Sequence, residues 1–381
     1  MSKIYLFLAI FFAAQLSHSQ TIYKTINSTL LGEERQLKIQ LPRNYDENSE
    51  KYYPVILVLD GDYLFEPFAG NVDYFSYWDD IPEAIVVGIN QSRSRRADTF
   101  YNDIQYFPAK SGKNFFDFIG AELFPFLNRN YRTTNFNVIA GHDLTANFAN
   151  FYLFKDNPLF QAYINLSPDL SPEMATRLYQ ALSDTRSDKW FYLATASNDV
   201  AELREYIKKL DYSLSTLENE NLHYQFDDFE KPFHYSLVAH AIPRALEKIF
   251  EAYKPISLDE YEEIKAADAS PYNYLTKKYN IIKNLYGLNI PVRLNDFLAV
   301  GKALEHKENW DDLEKLGKLA MEQDPDSMLG SYYIAKSLEE TGKTKKAMRM
   351  YEGSYDKKEA AFITADFMIR KAELIKKEYG Y

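Results

Sequence analysis

The sequence contains no cysteine in 381 residues. That excludes a disulfide framework, a thiolate zinc site, an iron–sulfur cluster, a cysteine nucleophile and a lipidated N-terminal cysteine. Basic residues are short relative to acidic ones, 44 against 55, giving a formal net charge of -11. Such a balance argues against unaided binding to nucleic-acid phosphates or anionic membranes. After the first twenty residues no long apolar run occurs, so no stable membrane insertion of the mature chain is expected. Apolar residues are plentiful, with 46% hydrophobic and 16% aromatic. This is enough for a large buried core, and the length suggests two domains at roughly 150 residues each.

The N-terminus reads MSKIYLFLAIFFAAQLSHSQ. Lys3 supplies a positive start, Ile4 to Leu16 is apolar, and Ser17-His18-Ser19 offers small residues for cleavage. This is the layout of a secretory signal peptide over 1–19, with a mature chain starting near Gln20. A secreted or periplasmic protein is expected.

From residue 20 to about 255, buried-strand and helix patterns alternate. Tyr52–Leu59, Ala84–Ile89, Phe136–Ala140, Ala162–Leu166 and Trp190–Ala194 are apolar on both faces. That suits the inside of a parallel sheet. Arg35–Leu41 alternates strictly and is expected as an outer antiparallel strand. Phe115, Phe116, Ile119, Leu123 and Phe126 recur at helical spacing, as do Leu237, Ala241, Leu246 and Phe250. The result is a doubly wound α/β domain whose site lies at the carboxyl ends of its strands. After Pro255 strand signals stop. Gly301–Glu305 resembles Ala335–Glu339 at an offset of 34 residues, the period of tetratricopeptide helix pairs. Residues 256–381 are therefore expected to form a small all-α domain, a docking surface for a protein partner or for self-association.

Asn137-Val138-Ile139-Ala140-Gly141-His142-Asp143-Leu144-Thr145-Ala146 carries the chemistry. A buried strand runs into a Gly-x-residue-x turn and then a helix, the context of a nucleophile elbow. Here the chain resembles the α/β-hydrolase superfamily. Within it, residues Tyr23 to Tyr253 resemble the secreted esterases that include enterochelin and feruloyl esterases. Leu57–Gly61 matches that family's strand and oxyanion loop. Gly88-Ile89-Asn90 with Arg93, Arg95 and Asp98 matches its next strand and Arg-rich loop. Asn165–Pro168 matches its Ser-Pro segment, and Lys231–Ser236 the position of its catalytic histidine. The resemblance implies an α/β-hydrolase fold, no cofactor and a small-molecule ester substrate.

One departure changes the chemistry. The family has Ser at the elbow apex where this chain has Asp143, and usually Gly where it has Thr145. A carboxylate attacking an acyl carbon forms a mixed anhydride with little gain. It suits attack on an sp3 carbon, followed by hydrolysis with His-activated water. Three outcomes stay open: a hydrolase using Asp143, His234 and Asp199; an inactive pseudoesterase that binds through its cleft or its helical appendage; or an interaction module in which the tetratricopeptide-like part does the binding.

Of the other histidines, His18 lies in the signal, His306 in the helical part, His223 in a strand, His240 within a helix, and His142 beside the apex. His234 alone follows the last core strand. Asp199 follows the strand ending Ala194-Thr195-Ala196, as an orienting acid or a helix cap; Asp227 and Asp228 are alternatives. Backbone amides of Gly61, Asp62 and Leu144 would form the oxyanion hole. Asp143, Asp62 and Asp60 would face one cleft, where Arg93, Arg95 and Arg96 could neutralise them. No spacing is diagnostic of a metal site.

Overall fold

The computed structural model describes residues 21–381; the signal-peptide reading lies outside them. Backbone contacts divide the chain into two units, one ending at Glu251 and the other spanning Ala252–Tyr381. The break falls a few residues before the expected one after Pro255. Residues just past it belong with the second unit: Arg293 lies over the Tyr253 ring, and the Ile256 amide donates to Asp296 at 2.8 Å.

The first unit is built on eight strands: β1 Thr21–Ser28, β2 Glu33–Gln40, β3 Tyr53–Val58, β4 Ile85–Ile89, β5 Thr133–His142, β6 Ala162–Leu166, β7 Lys189–Asn198 and β8 Leu222–Phe233. Their order in the sheet is β1-β2-β4-β3-β5-β6-β7-β8. The β1–β2 and β2–β4 pairs are antiparallel and the rest parallel. This is the α/β-hydrolase arrangement. β2 is not the outer strand its alternation suggested, because β1 covers its free edge. Burial leaves its charges paired, Arg35 with Asp98 at 2.5 Å and Lys38 with Glu66 at 2.6 Å.

Among the described residues eight α-helices flank the sheet: α1 Phe65–Tyr77, α2 Arg95–Asp98, α3 Lys110–Phe118, α4 Phe124–Asn130, α5 Leu144–Asn150, α6 Met174–Ser183, α7 Ala201–Leu214 and α8 Leu237–Ile249. β3 is buried along its whole length, as its unbroken apolar run requires. Its alternate residues Val55 and Leu57 join one core with Phe115 and Phe118 of α3, Leu178 of α6 and Leu210 of α7. α1 and α8 pack against each other, α1 on β4 and α8 on β6 and β7.

The second unit is helical: α9 Leu258–Ala266, α10 Pro271–Tyr286, α11 Leu294–His306, α12 Trp310–Gln323, α13 Met328–Glu340, α14 Thr344–Glu352 and α15 Ala365–Tyr379. Its core runs through Val300, Leu304, Leu313, Leu316, Tyr333, Ala347 and Tyr351. α11 and α13 begin at 294 and 328, and α12 and α14 at 310 and 344. Both pairs of starts are separated by the offset seen in the sequence.

Candidate active site

β5 ends at His142 and α5 begins at Leu144, so Asp143 alone makes the turn. Its backbone sits at φ 58°, ψ -120°, a region that non-glycine residues rarely adopt and that is typical of strained functional turns. The turn closes because residue 141 is glycine: a Cβ there would lie 2.5 Å from the Thr145 carbonyl carbon. Asp60 and Ser167 also have positive φ, 51° and 43°. These follow the ends of β3 and β6. Three strained residues thus gather beside the carboxyl ends of adjacent strands.

The Asp143 carboxylate is held by Arg95, whose Nη1 donates at 3.0 Å. Arg95 is anchored from below. Its Nε and Nη2 donate to the two oxygens of Asp60 at 2.8 and 3.0 Å, and Nη2 also donates to the His142 carbonyl at 2.9 Å. Asp60 is buried, and it accepts the Thr145 hydroxyl at 2.7 Å as well. Two carboxylates and one guanidinium therefore share the floor of the elbow. Burial works against the charge on Arg95, but hydrogen bonds to Asp60 and Asp143 outweigh it and raise its pKa.

Across the cleft, His234 directly follows β8. Its Nδ1 lies 2.8 Å from Asp199 Oδ1, and the Asp199 side chain is 0% exposed. Asp199 also accepts the Thr195 hydroxyl at 2.7 Å and the Val200 amide at 2.8 Å. Burial opposes its negative charge, but hydrogen bonds from His234, Ser167, Thr195 and Val200 prevail and hold its pKa at about 2. An ionised Asp199 fixes the proton of His234 on Nδ1 and leaves Nε2 as the basic nitrogen. The alternative acids lie elsewhere: Asp227 pairs with Arg244 and Tyr192, and Asp228 with Arg204.

Among the described residues, Asp143 and His234 share no hydrogen bond. What lies between is His142. Its ring is fully buried and lies tilted against that of His234, with ring centres 4.4 Å apart. Its Nε2 lies 3.2 Å from the His234 carbonyl, and its Nδ1 2.9 Å from the Tyr63 hydroxyl. Desolvation, with repulsion from His234, lowers its pKa to about 4, so it is neutral near pH 7 and donates from Nε2. It supports the base from beneath.

The three expected oxyanion donors fare differently. The Gly61 amide is engaged with the Ile89 carbonyl at 2.8 Å, which corrects its assignment as a donor. A Cβ at this position would meet the backbone of Gly88 and Ile89 at 2.8 Å, so the glycine serves close backbone approach. Among the described residues the amides of Asp62 and Leu144 make no hydrogen bond, the latter as the first of its helix. The Asp62 carboxylate turns away from the cleft and accepts the amides of Gln91 and Ser92 at 2.5 and 2.8 Å. The expected crowding of Asp62 against Asp143 is therefore absent.

A family model described as "Putative esterase" matches residues 28–221. The chain belongs to this esterase family. That membership supports an esterase-type hydrolase. A solved structure of an uncharacterised protein from Capnocytophaga ochracea DSM 7271 is 25% identical, with a TM-score of 0.86 over 94% of this chain and 100% of that one. An IroE-like serine hydrolase from Shewanella oneidensis is 23% identical (TM-score 0.59, 79% of this chain and 99% of that one). The BES protein from Bacillus cereus is 24% identical (TM-score 0.54, 61% and 95%). The last two show the shared fold. No curated protein matches the sequence.

Against the esterase pattern, sequence reasoning named Asp143, His234 and Asp199, but not the groups that hold them. Arg95 was one of three arginines in a loop. Ser167, buried with its Oγ 3.1 Å from His234 Nδ1, was only a family marker. No pattern in the chain announces that Thr145 would bond Asp60. Among the described residues no group of three or more His, Asp or Glu side chains is placed to hold a metal ion.

Proposed function

We propose that this chain is an exported, secreted or periplasmic, hydrolase of small-molecule esters in which His234 and Asp199 activate water directly. One observation carries the reading: the His234–Asp199 hydrogen bond of 2.8 Å, with the acid buried and ionised. A chain that had only kept a fold would have no need to hold a basic nitrogen in one tautomer above the elbow.

The chemistry follows from the groups present. His234 Nε2 removes a proton from water, and the water oxygen bonds to the acyl carbon. The carbonyl electron pair moves onto oxygen, where the amides of Asp62 and Leu144 donate to it. Collapse breaks the acyl–oxygen bond, and the leaving alkoxide takes the proton from Nε2. Asp143 does not attack: a mixed anhydride offers no advantage. Its Oδ2 is bound by Arg95, and its other oxygen accepts from the attacking water and orients it. The test is turnover of a panel of p-nitrophenyl and hydroxycinnamate esters. The wild type hydrolyses at least one, and His234→Ala loses that activity while keeping its circular dichroism spectrum. Turnover unchanged in His234→Ala would refute the reading.

A second reading, a pseudoesterase that binds without turnover, is favoured by the Arg95–Asp143 ion pair at the apex. Under it the second unit is a tetratricopeptide-like platform for a protein partner or a second copy, supported by the repeated helix starts. Saturable ester binding with no hydrolysis would select this reading.

A further inference from the structure

The chain's two departures from the esterase pattern, Asp143 and Thr145, touch the same buried acid. Thr145 donates to Asp60 Oδ2 at 2.7 Å. Asp143 reaches Asp60 through Arg95, which spans the two carboxylates at 2.8–3.0 Å on one side and 3.0 Å on the other. Asp60 is 2% exposed. A carboxylate so buried must have its charge met by a cation and its lone pairs by donors. Arg95 and Thr145 supply both. Thr145 also accepts the His142 amide at 3.0 Å, which ties the network to the last residue of β5. The Arg95 side chain is 26% exposed and Asp143 21%. The network thus runs from a closed interior at Asp60 to the partly exposed carboxylate of Asp143.

We infer that Arg95 is a positioning residue for Asp143, and that Asp60, Arg95, Thr145 and Asp143 form one interdependent unit that fixes the apex carboxylate. A lysine could not replace the arginine fully, because only the planar fork donates to both carboxylates and to the His142 carbonyl at once. The hydroxyl at 145 belongs to the same unit. With glycine there, Asp60 would lose a donor and Arg95 part of what holds its anchor still. Asp143's catalytic use rests on the water-activation reading above; the interdependence does not.

The experiment is a double-mutant cycle on the full chain, read by urea unfolding. Its corners are wild type, Asp143→Asn, Arg95→Gln and the double variant, with a second cycle pairing Thr145→Gly and Arg95→Gln. Coupling of about tenfold in the unfolding equilibrium constant is expected in each. Strictly additive effects in both cycles would overturn the inference, whether or not any ester is turned over. Where turnover is present, Arg95→Gln lowers kcat about a hundredfold with KM nearly unchanged, and Arg95→Lys recovers part of it. A wild-type kcat in Arg95→Gln would refute the positioning role. Loss of activity together with additive unfolding would leave Arg95 a separate contributor and also overturn the interdependent unit. An inactive wild type with coupled unfolding would sink the functional reading alone.

Discussion

The two sides of the cleft have been treated differently. On the β7–β8 side, Asp199 and His234 stand as an esterase needs them, the acid buried and bonded to Nδ1. On the β3–β5 side, the nucleophile position holds a carboxylate clamped by Arg95 over a second, buried carboxylate. The first side makes a base. The second has exchanged a neutral hydroxyl for a closed charge network. A base can act on water whatever occupies the elbow, whereas an acyl-enzyme requires the serine. The proposed hydrolysis without a covalent intermediate rests on this contrast.

The largest effect should come from breaking the intact side. Asp199→Asn leaves the shape of the acid but no longer favours Nδ1–H on His234. Steady-state kinetics on the best ester should show kcat down about 10³–10⁴-fold with the fold retained. A drop of less than tenfold would mean that the pair is structural.

Next comes the support between the sides. His142 has a folded pKa of about 4 against an ordinary 6.5. As pH falls below 6.5, the unfolded chain takes up a proton that the folded one refuses, so stability declines down to about pH 4. The full loss is about 3 kcal/mol. The rings of His234, Tyr235 and Tyr63 pack against it, and the charges of Asp143 and Arg95 act on it. In urea titrations from pH 7.5 to 4, His142→Gln should flatten much of this slope; an unchanged slope would place its origin elsewhere. Asp199 acts lower. Its stabilisation is present above its ordinary 3.8 and is lost as pH falls through about 2.

The smallest effect sharpens the comparison from outside. Asp228 was an alternative orienting acid but pairs with Arg204 at 2.6 Å. Asp228→Asn should leave kcat within about twofold, as expected for a surface position away from the site. A hundredfold loss would reopen its candidacy.

The fold was largely legible in the chain because parallel strands are buried on both faces and so read as unbroken apolar runs. β4 and β6 fall within the expected segments. β2 was misplaced because alternation reports one buried face and is silent on whether a further strand covers the edge. In the site, residues that follow strands could be found, since strand ends are marked by small residues and turn signals: Asp143, Asp199 and His234. What could not be read was pairing at long sequence distance. Arg95 meets Asp143 and Asp60 across 48 and 35 positions. Whether the Gly61 amide was free or bound to Ile89 depended on how closely the turn after β3 packs on the end of β4. Thr145 looked like a lost glycine and is in fact a donor to a buried acid.

The account turns on which oxygen reaches the acyl carbon. A single turnover of a good ester in heavy-oxygen water, followed by mass spectrometry of the product acid and of the peptide containing Asp143, tests it, because only attack by the carboxylate can place label in Asp143. Water activation by His234 requires label in the released acid and none in the Asp143 carboxylate. Label carried into Asp143 would show that the carboxylate itself attacks, and would contradict water activation by His234.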